Sequence, residues 1–202
     1  MNTSLLDRAV VFAVRAHAGT PRKGKNFPYI VHPLEAMAIV ATMTDDPELL
    51  AAAALHDTIE DTATTREELQ REFGPRVADL VQAESDIEVD GLGHVASWRE
   101  RKQVALDRLA KAPREVQIVA LGDKLSNMRA IARDYARQGD ALWQIFNVKD
   151  PAQHAWRYRA LVDALSPLAD TEAYLEFKAL VEQVFTGIIS STFPTDNGRP
   201  LN

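Results

Sequence analysis

The sequence predicts an all-α fold, and three observations lead to that prediction. Apolar residues recur at three- and four-residue intervals, and no segment alternates apolar and polar residues convincingly enough to indicate a strand. Helix-start signals recur along the chain, among them capping boxes and prolines that follow acidic caps. The chain has 202 residues, 46% of them hydrophobic, which suits one domain with a substantial core. We therefore expect a single-domain bundle of about nine or ten helices.

The first two predicted helices flank a basic loop. Ser4 begins the first helix, whose apolar stripe ends before Gly19. The loop over residues 20–33 contains three prolines and is longer than most connections inside a domain, which is typical of functional loops. Its basic residues are Arg22, Lys23 and Lys25. Pro33 suits the first turn of the second helix, predicted from Leu34 to Thr42.

The remaining helices are predicted from caps and breakers in the same way. Asp46 before Pro47 opens a third helix that reaches His56 and Asp57. Further helices are expected from Thr65 to Gly74, from Pro75 onward, from Ser97 to about Ala112, from Pro113 onward, from about Ala152 to Leu165, and from Thr171 to about Phe185. Residues 86–96 and 138–151 are expected as loop and connector, and residues 190–202 as a flexible tail after a domain over residues 1–189.

Composition excludes several classes of protein. There is no cysteine, so disulfides and thiolate metal sites are excluded, and any metal must be held by nitrogen and oxygen ligands. The first residues lack the features of a signal peptide, and no apolar run reaches the length of a membrane span. The net charge of −6 and a pI near 5.4 argue against general nucleic-acid binding. These features indicate a cytoplasmic protein with no membrane or nucleic-acid partner, while its oligomeric state, including a homo-oligomer, stays open.

An apolar run from Ala51 to Leu55 ends in a block of ionisable side chains. His56 and Asp57 are adjacent, and Glu60 and Asp61 follow one turn later, so a continuous helix would place each member of the first pair beside one of the second. Several carboxylates on a buried helix require a cation, because desolvating unpaired charge is costly. The simpler interpretation is a helix end that frays into a solvated acidic loop.

Four residues of metal-ligand type lie on or beside apolar helical stripes: His32, His56, Asp57 and Asp123. Two imidazoles and two carboxylates suit Mn²⁺, Fe²⁺, Zn²⁺ or another divalent ion. Helices of a bundle can project such residues into a shared core. Each residue has an alternative explanation, such as a satisfied core histidine or, for Asp123, an ion pair with Lys124 or Arg129. It is the combination of all four that favours a metal site.

A metal site of this kind predicts hydrolysis. A divalent ion lowers the pKa of its bound water, and a carboxylate one turn past the ligands, Glu60 or Asp61, can act on that water as general base or acid. A phosphate ester or anhydride would also need cations near its oxygens. The basic loop and Lys124 are candidates for that role, although a basic loop can equally be a solvated turn.

Four sequence blocks in order carry a resemblance to a known family. The pattern of His32, His56–Asp57 and Asp123 resembles the HD phosphohydrolase superfamily. More narrowly, the blocks are similar to small alarmone hydrolases and to the hydrolase domain of the RelA/SpoT family, over roughly residues 5–133. The blocks are RKG…PYIVHPL (22–34), LHDTIEDT (55–62), FGPRVADLV (73–81) and GDKLSNMR (122–129).

This resemblance implies an all-helical HD fold and a Mn²⁺-dependent enzyme that cleaves guanosine 3′,5′-bis(diphosphate) to GDP and pyrophosphate. It implies four metal ligands, a catalytic pair and three substrate contacts: His32, His56, Asp57 and Asp123 for the metal, Glu60 and Asp61 beside the attacking water, and Arg22, Lys23 and Asn127 for the nucleotide. Lys124, which is adjacent to Asp123, is a fourth candidate for substrate binding. No synthetase region follows, so only hydrolysis is expected.

Two segments depart from the resemblance, namely residues 84–102 and 149–159. The second segment forms part of a helix that either borders the pocket or packs its aromatic rings into the core; the residues concerned are His154, Trp156, Arg157, Tyr158 and Arg159. The departures leave two alternatives open: an HD phosphohydrolase of another nucleotide, such as NADPH or a nucleoside phosphate, and a nucleotide-binding regulator without turnover. The complete ligand set argues against the regulator, and a purely structural protein would leave the inward carboxylates unexplained.

Overall fold

The computed structural model describes residues 4–85 and 97–188. Within these ranges the chain forms ten α-helices, which confirms the all-α prediction, and no strand beyond one isolated bridge between Pro21 and Pro28. The helices are α1 (Ser4–Ala16), α2 (Val31–Val40), α3 (Pro47–Leu55), α4 (Thr58–Asp61), α5 (Arg66–Phe73), α6 (Pro75–Glu84), α7 (Trp98–Lys111), α8 (Arg114–Gln138), α9 (Pro151–Ala164) and α10 (Glu172–Phe185).

The predicted caps explain where several helices begin. The Asp46 side chain accepts a hydrogen bond from the backbone amide of Glu48 at 2.9 Å, ahead of Pro47 in α3. Ser97 and Glu100 form a complete capping box at the start of α7, with bonds of 3.2 and 2.7 Å. A 3₁₀ helix, Gly139–Ile145, replaces the irregular connector expected after α8.

Helix α8 is the centre of the bundle. It packs against α2, α3, α6 and α10, and residues along most of its length are buried. Large buried side chains fill the space around it, including Trp143, Phe177 and Phe185, each exposing 1% or less of its surface. This central position carries Asp123, in the middle of α8, into the interior of the fold.

Two helix boundaries differ from the sequence prediction, and both affect the ligand residues. Helix α3 ends at Leu55, and the short α4 starts only at Thr58, so His56 and Asp57 occupy a turn between two helices. The Thr58 hydroxyl donates to the Leu55 carbonyl at 2.7 Å and thereby satisfies a carbonyl at the end of α3. Helix α2 starts at Val31 rather than Leu34, which places His32 in its first turn.

The loop predicted over residues 86–96 and the tail predicted over residues 190–202 lie outside the described residues. In the ranges that are described, no helix is both long enough and apolar enough to cross a bilayer.

Candidate metal centre

The four predicted ligand residues come together at one place in the bundle. His32 comes from α2, His56 and Asp57 from the turn after α3, and Asp123 from α8. Nε2 of His32 lies 3.4 Å from Oδ2 of Asp57 and 3.0 Å from Oδ1 of Asp123. Nε2 of His56 lies 2.9 and 3.6 Å from the same two oxygens. The ligand atoms of His32, His56 and Asp57 all lie within 4.8 Å of one another, a spacing at which one metal ion could contact them.

The buried nitrogen of His56 shows that the site fits a cation. Nδ1 of His56 contacts the Ala53 carbonyl at 2.8 Å, and because a carbonyl only accepts, Nδ1 must carry the proton there. In the neutral ring Nε2 is then a bare lone pair, and it is buried without a hydrogen-bond partner. A metal ion is the natural partner for a lone pair that faces two carboxylates.

The protonation states of His56, Asp57 and Asp123 depend strongly on one another. Burial lowers the pKa of His56, but the carboxylates of Asp57 and Asp123 outweigh burial and raise the pKa well above its usual value. These carboxylates attract either a second proton or a cation to Nε2, and a metal ion that binds there would displace that proton. Burial would raise the pKa of Asp57, yet the neighbouring imidazoles lower it instead. The pKa of Asp123 is lowered against burial by Lys124 and by both imidazoles. Both carboxylates therefore stay ionised, as metal ligands must be.

A second layer of side chains holds the carboxylates in place. Tyr29 donates its hydroxyl to Oδ2 of Asp57 at 2.7 Å, and the Arg22 guanidinium lies over the Tyr29 ring, 5.1 Å from its centroid. Arg22 also donates to Oδ1 of Asn127, whose amide donates to Oδ1 of Asp123, both at 2.5 Å. The basic loop and α8 are thus joined at the site.

The four candidate ligand residues line an open cavity of about 210 Å³. Both anionic and cationic side chains line it: Asp57, Glu60, Glu84 and Asp123 are anionic, and Arg22, Lys102, Lys124 and Arg157 are cationic. Nζ of Lys124 lies 2.5 Å from Oδ2 of Asp123 and 3.6 Å from Oε2 of Glu84. Of the two partners weighed for Asp123 from the sequence, Lys124 is the one that contacts it, whereas Arg129 pairs with Glu35 and Glu176.

The pKa values of Glu60 and Lys102 are shifted from their usual values. Partial burial, together with the charges of Asp57 and Asp61, raises the pKa of Glu60. Burial and the nearby charges of Arg157 and Lys124 lower the pKa of Lys102 to about 8. A cavity with perturbed titratable groups of both signs is typical of a catalytic site.

Three of the residues singled out in the sequence do not line this cavity. The ammonium group of Lys23 donates to Oδ1 of Asn147 at 3.1 Å, on the exposed side of the loop. Lys25 pairs with the buried Asp134. Asp61 is exposed on α4, one residue beyond Glu60, and only Glu60 of the predicted acidic pair lines the cavity.

The structure adds residues that the sequence analysis did not select. Tyr29 and Glu84 line the cavity, and so does Lys102. Tyr29 lies inside the matched PYIVHPL block, but no regularity of the sequence marks a tyrosine as a carboxylate partner. Glu84 and Lys102 fall in a segment noted only as a departure. In the other departing segment, Arg157 lines the cavity while His154 and Tyr158 pack into the core, so both interpretations hold for different side chains.

Fold and site together define a helical protein with a two-histidine, two-aspartate cluster. The profile of the HD domain family matches residues 9–151, more than half of the chain, and the protein therefore belongs to the HD domain family. This family membership indicates a divalent metal, which agrees with the cluster described above.

Curated relatives carry this domain as a small part of a longer protein. The chain is 37% identical over 132 residues to the GTP pyrophosphokinase rsh of Brucella ovis, a match covering 65% of this chain and 17% of that protein. It is 36% identical over 126 residues to the guanosine-3′,5′-bis(diphosphate) 3′-pyrophosphohydrolase of Aquifex aeolicus, covering 62% of this chain and 18% of that protein. The predicted relationship to RelA/SpoT-type proteins is confirmed by these matches.

Two solved structures share the fold. One is a metazoan ortholog of SpoT, described as hydrolyzing ppGpp, with a TM-score of 0.71 and 23% identity over 91% of this chain and 97% of that one. The other is a protein of Listeria monocytogenes, with a TM-score of 0.66 and 25% identity over 76% of this chain and 98% of that one. These likenesses confirm the HD-type bundle.

Proposed function

We propose that this protein is a divalent-metal-dependent hydrolase that cleaves guanosine 3′,5′-bis(diphosphate) to GDP and pyrophosphate, and the pentaphosphate form to GTP and pyrophosphate. The observation that supports this most is the buried Nε2 of His56, which faces Asp57 and Asp123 in a cavity whose walls also carry four cationic side chains. The activity for which the Aquifex aeolicus relative is named supports the choice of substrate.

In this proposal His32, His56, Asp57 and Asp123 hold the metal, with Mn²⁺ as the expected ion. When bound, such an ion lowers the pKa of a coordinated water and offsets charge on the phosphoryl oxygens. The nitrogen and oxygen ligand set also admits Fe²⁺ or Zn²⁺.

Glu60 is the residue we propose for proton transfer. The oxygen of a water molecule forms a bond to the phosphorus next to the ribose, and the bond between that phosphorus and the 3′ oxygen breaks. Glu60 takes the proton of the attacking water and returns a proton to the departing 3′ oxygen. Its raised pKa suits both steps, because a carboxyl group that titrates closer to neutrality accepts and donates more readily. Asp61 acts indirectly in the proposed pair, because its negative charge helps to raise the pKa of Glu60.

The cationic wall is the proposed binding site for the phosphates. Arg22 and Lys124 line the cavity near Asp123. Asn127, which bonds to both Arg22 and Asp123, is the proposed contact for the sugar. Lys102 and Arg157 extend this wall and are proposed as further phosphate contacts. Lys23, which the resemblance also implies, would have to leave Asn147 to reach the substrate.

We further propose that the partner is a small-molecule nucleotide in the cytoplasm, with no role for nucleic acid or membrane. The net charge of −6 supports this, because a polyanion or an anionic surface would be repelled by most of the protein while a small nucleotide meets only the local cations. Light scattering of the purified chain would decide between a monomer and a homo-oligomer.

The direct test uses chelator-stripped protein, Mn²⁺ and guanosine 3′,5′-bis(diphosphate), with products separated by chromatography. We expect GDP and pyrophosphate in equal amounts, only with metal, and none from an Asp57→Ala variant. If the protein bound Mn²⁺ but did not hydrolyse this nucleotide, the proposed substrate would be wrong, while the proposed metal centre would still stand.

A second candidate is hydrolysis of another phosphorylated nucleotide, such as NADPH. It is favoured by Lys102 and Arg157, which enter the cavity from the two segments that depart from the alarmone-hydrolase blocks. The same assay with NADPH and simple nucleoside phosphates distinguishes the candidates. If one of these compounds were hydrolysed faster than the alarmone, it would become the proposed substrate instead.

A further inference from the structure

A hydrogen-bonded chain behind His32 connects the candidate metal centre to a carboxylate that is not one of its ligands. Nδ1 of His32 lies 2.8 Å from Oγ of Ser126, and that hydroxyl donates to Oε2 of Glu35 at 2.9 Å. His32 and Ser126 are almost completely buried, with 4% and 1% of their surface exposed. Water therefore cannot readily replace either partner.

The number of protons in this chain determines which nitrogen of His32 is free. A serine hydroxyl has one hydrogen, and an ionised carboxylate can only accept one. If Ser126 donates to Glu35, its oxygen must accept from His32, so Nδ1 carries the imidazole proton. In the neutral ring Nε2 is then a lone pair, and it faces Asp57 and Asp123.

Glu35 is held in the orientation that this arrangement needs. Nη1 of Arg129 donates to the other carboxylate oxygen of Glu35 at 3.4 Å. Arg129 is itself fixed by two bonds of 2.7 Å to the carboxylate of Glu176 on α10. Both carboxylate oxygens of Glu35 therefore accept hydrogen bonds, one from Ser126 and one from Arg129.

We propose that Ser126 and Glu35 are positioning residues that impose the Nδ1–H tautomer on His32 and so present Nε2 to a divalent cation. Without Glu35, the Ser126 hydroxyl is free to turn and donate to Nδ1. The imidazole proton would then sit on Nε2, 3.0 Å from Oδ1 of Asp123, where it would form a hydrogen bond in the place of the metal. This inference rests on the divalent-metal site of the proposed function and not on the identity of the substrate.

Metal affinity of the full chain tests the proposal without any substrate. Mn²⁺ binding to chelator-stripped protein would be measured by competition with a chromogenic chelator for the native protein, Ser126→Ala, Glu35→Ala and the double variant. Partners behind metal-bound histidines typically contribute about 10- to 100-fold to affinity, and we expect each single variant to lose about that much. Because Glu35 acts only through Ser126, Glu35→Ala should have no further effect in the Ser126→Ala background.

The matched control is Glu48→Ala, which removes a glutamate that pairs with an arginine, Arg76, but has no contact with His32. Its affinity should stay within about twofold of the native protein. Circular dichroism checks that each variant is folded, and nitrogen NMR of His32 in the metal-free protein reports its tautomer directly. Either single variant binding Mn²⁺ with native affinity, or losses that multiply in the double variant, would overturn the proposal. Failure of alarmone turnover would leave it unaffected.

Discussion

Gly122 of α8 packs directly against the backbone of Ala36 in α2. A β-carbon on Gly122 would lie 2.8 Å from the Ala36 carbonyl oxygen and 2.6 Å from a methyl group of Val40. The two helices approach this closely only because residue 122 has no side chain. The contact lies one residue from Asp123 and four from His32, so it sets the distance between two of the proposed ligands.

Replacing this glycine should therefore damage both stability and metal binding. Gly122→Ala is expected to destabilise the fold by about 1–3 kcal/mol, because the backbone carbonyl cannot move aside as a side chain would. Mn²⁺ affinity should fall with it, since α2 and α8 separate. Urea denaturation and chelator competition measure the two effects. Native stability in this variant would show that the helices adjust without cost.

Removing Glu60 should affect the rate and not the metal. Glu60 lines the cavity but is not one of the ligand residues, so Glu60→Ala should bind Mn²⁺ normally. Loss of a general base typically costs about 10²- to 10⁴-fold in kcat. Single-turnover kinetics with saturating substrate measure this loss, and Asp57→Ala, which should lose metal as well, is the comparison. An unchanged kcat would remove Glu60 from the mechanism.

Lys102 should cause kcat/KM to fall at alkaline pH. Its pKa is lowered to about 8, so its ammonium group is charged below that pH and neutral above it. Only the charged form attracts phosphate, and kcat/KM should therefore decline as the pH rises through about 8. In Lys102→Arg the guanidinium stays charged, and the decline should disappear from the measured range. If kcat/KM of the native protein and of Lys102→Arg declined over the same pH range, the decline would belong to another group.

Arg157 should contribute to substrate binding more than to the chemical step. A hydrogen bond to a charged group is worth about 1.5–3 kcal/mol, which corresponds to a rise in KM of roughly 10- to 100-fold in Arg157→Ala. The control is Arg133→Ala, because Arg133 is exposed on α8 and does not line the cavity. Steady-state kinetics of both variants provide the comparison. Equal KM values would place Arg157 outside the nucleotide site.

The helices and the ligand types could be predicted from the sequence because both depend on local patterns. Asp46, Ser97 and Thr171 cap the helices that they were expected to cap, since a cap bonds only to amides two or three residues away. The RelA/SpoT-like blocks likewise contain the ligand residues as short runs. The break between α3 and α4 could not be predicted in this way, because helical spacing assumes that the helix continues past His56.

What the sequence alone determined was the all-α class, the HD family and the four candidate ligand residues, because each follows from residue types at short spacing. Tertiary structure alone decided which charged groups meet. In the folded chain Glu60, and not Asp61, lines the cavity, and Lys23 donates to Asn147. Lys102 and Arg157 lie near Lys124 in the same cavity. It also placed Glu35 behind His32 through Ser126. These contacts join residues far apart in the chain, and the packing of α2 and α3 against α8, and of α7 against α9, brings them together.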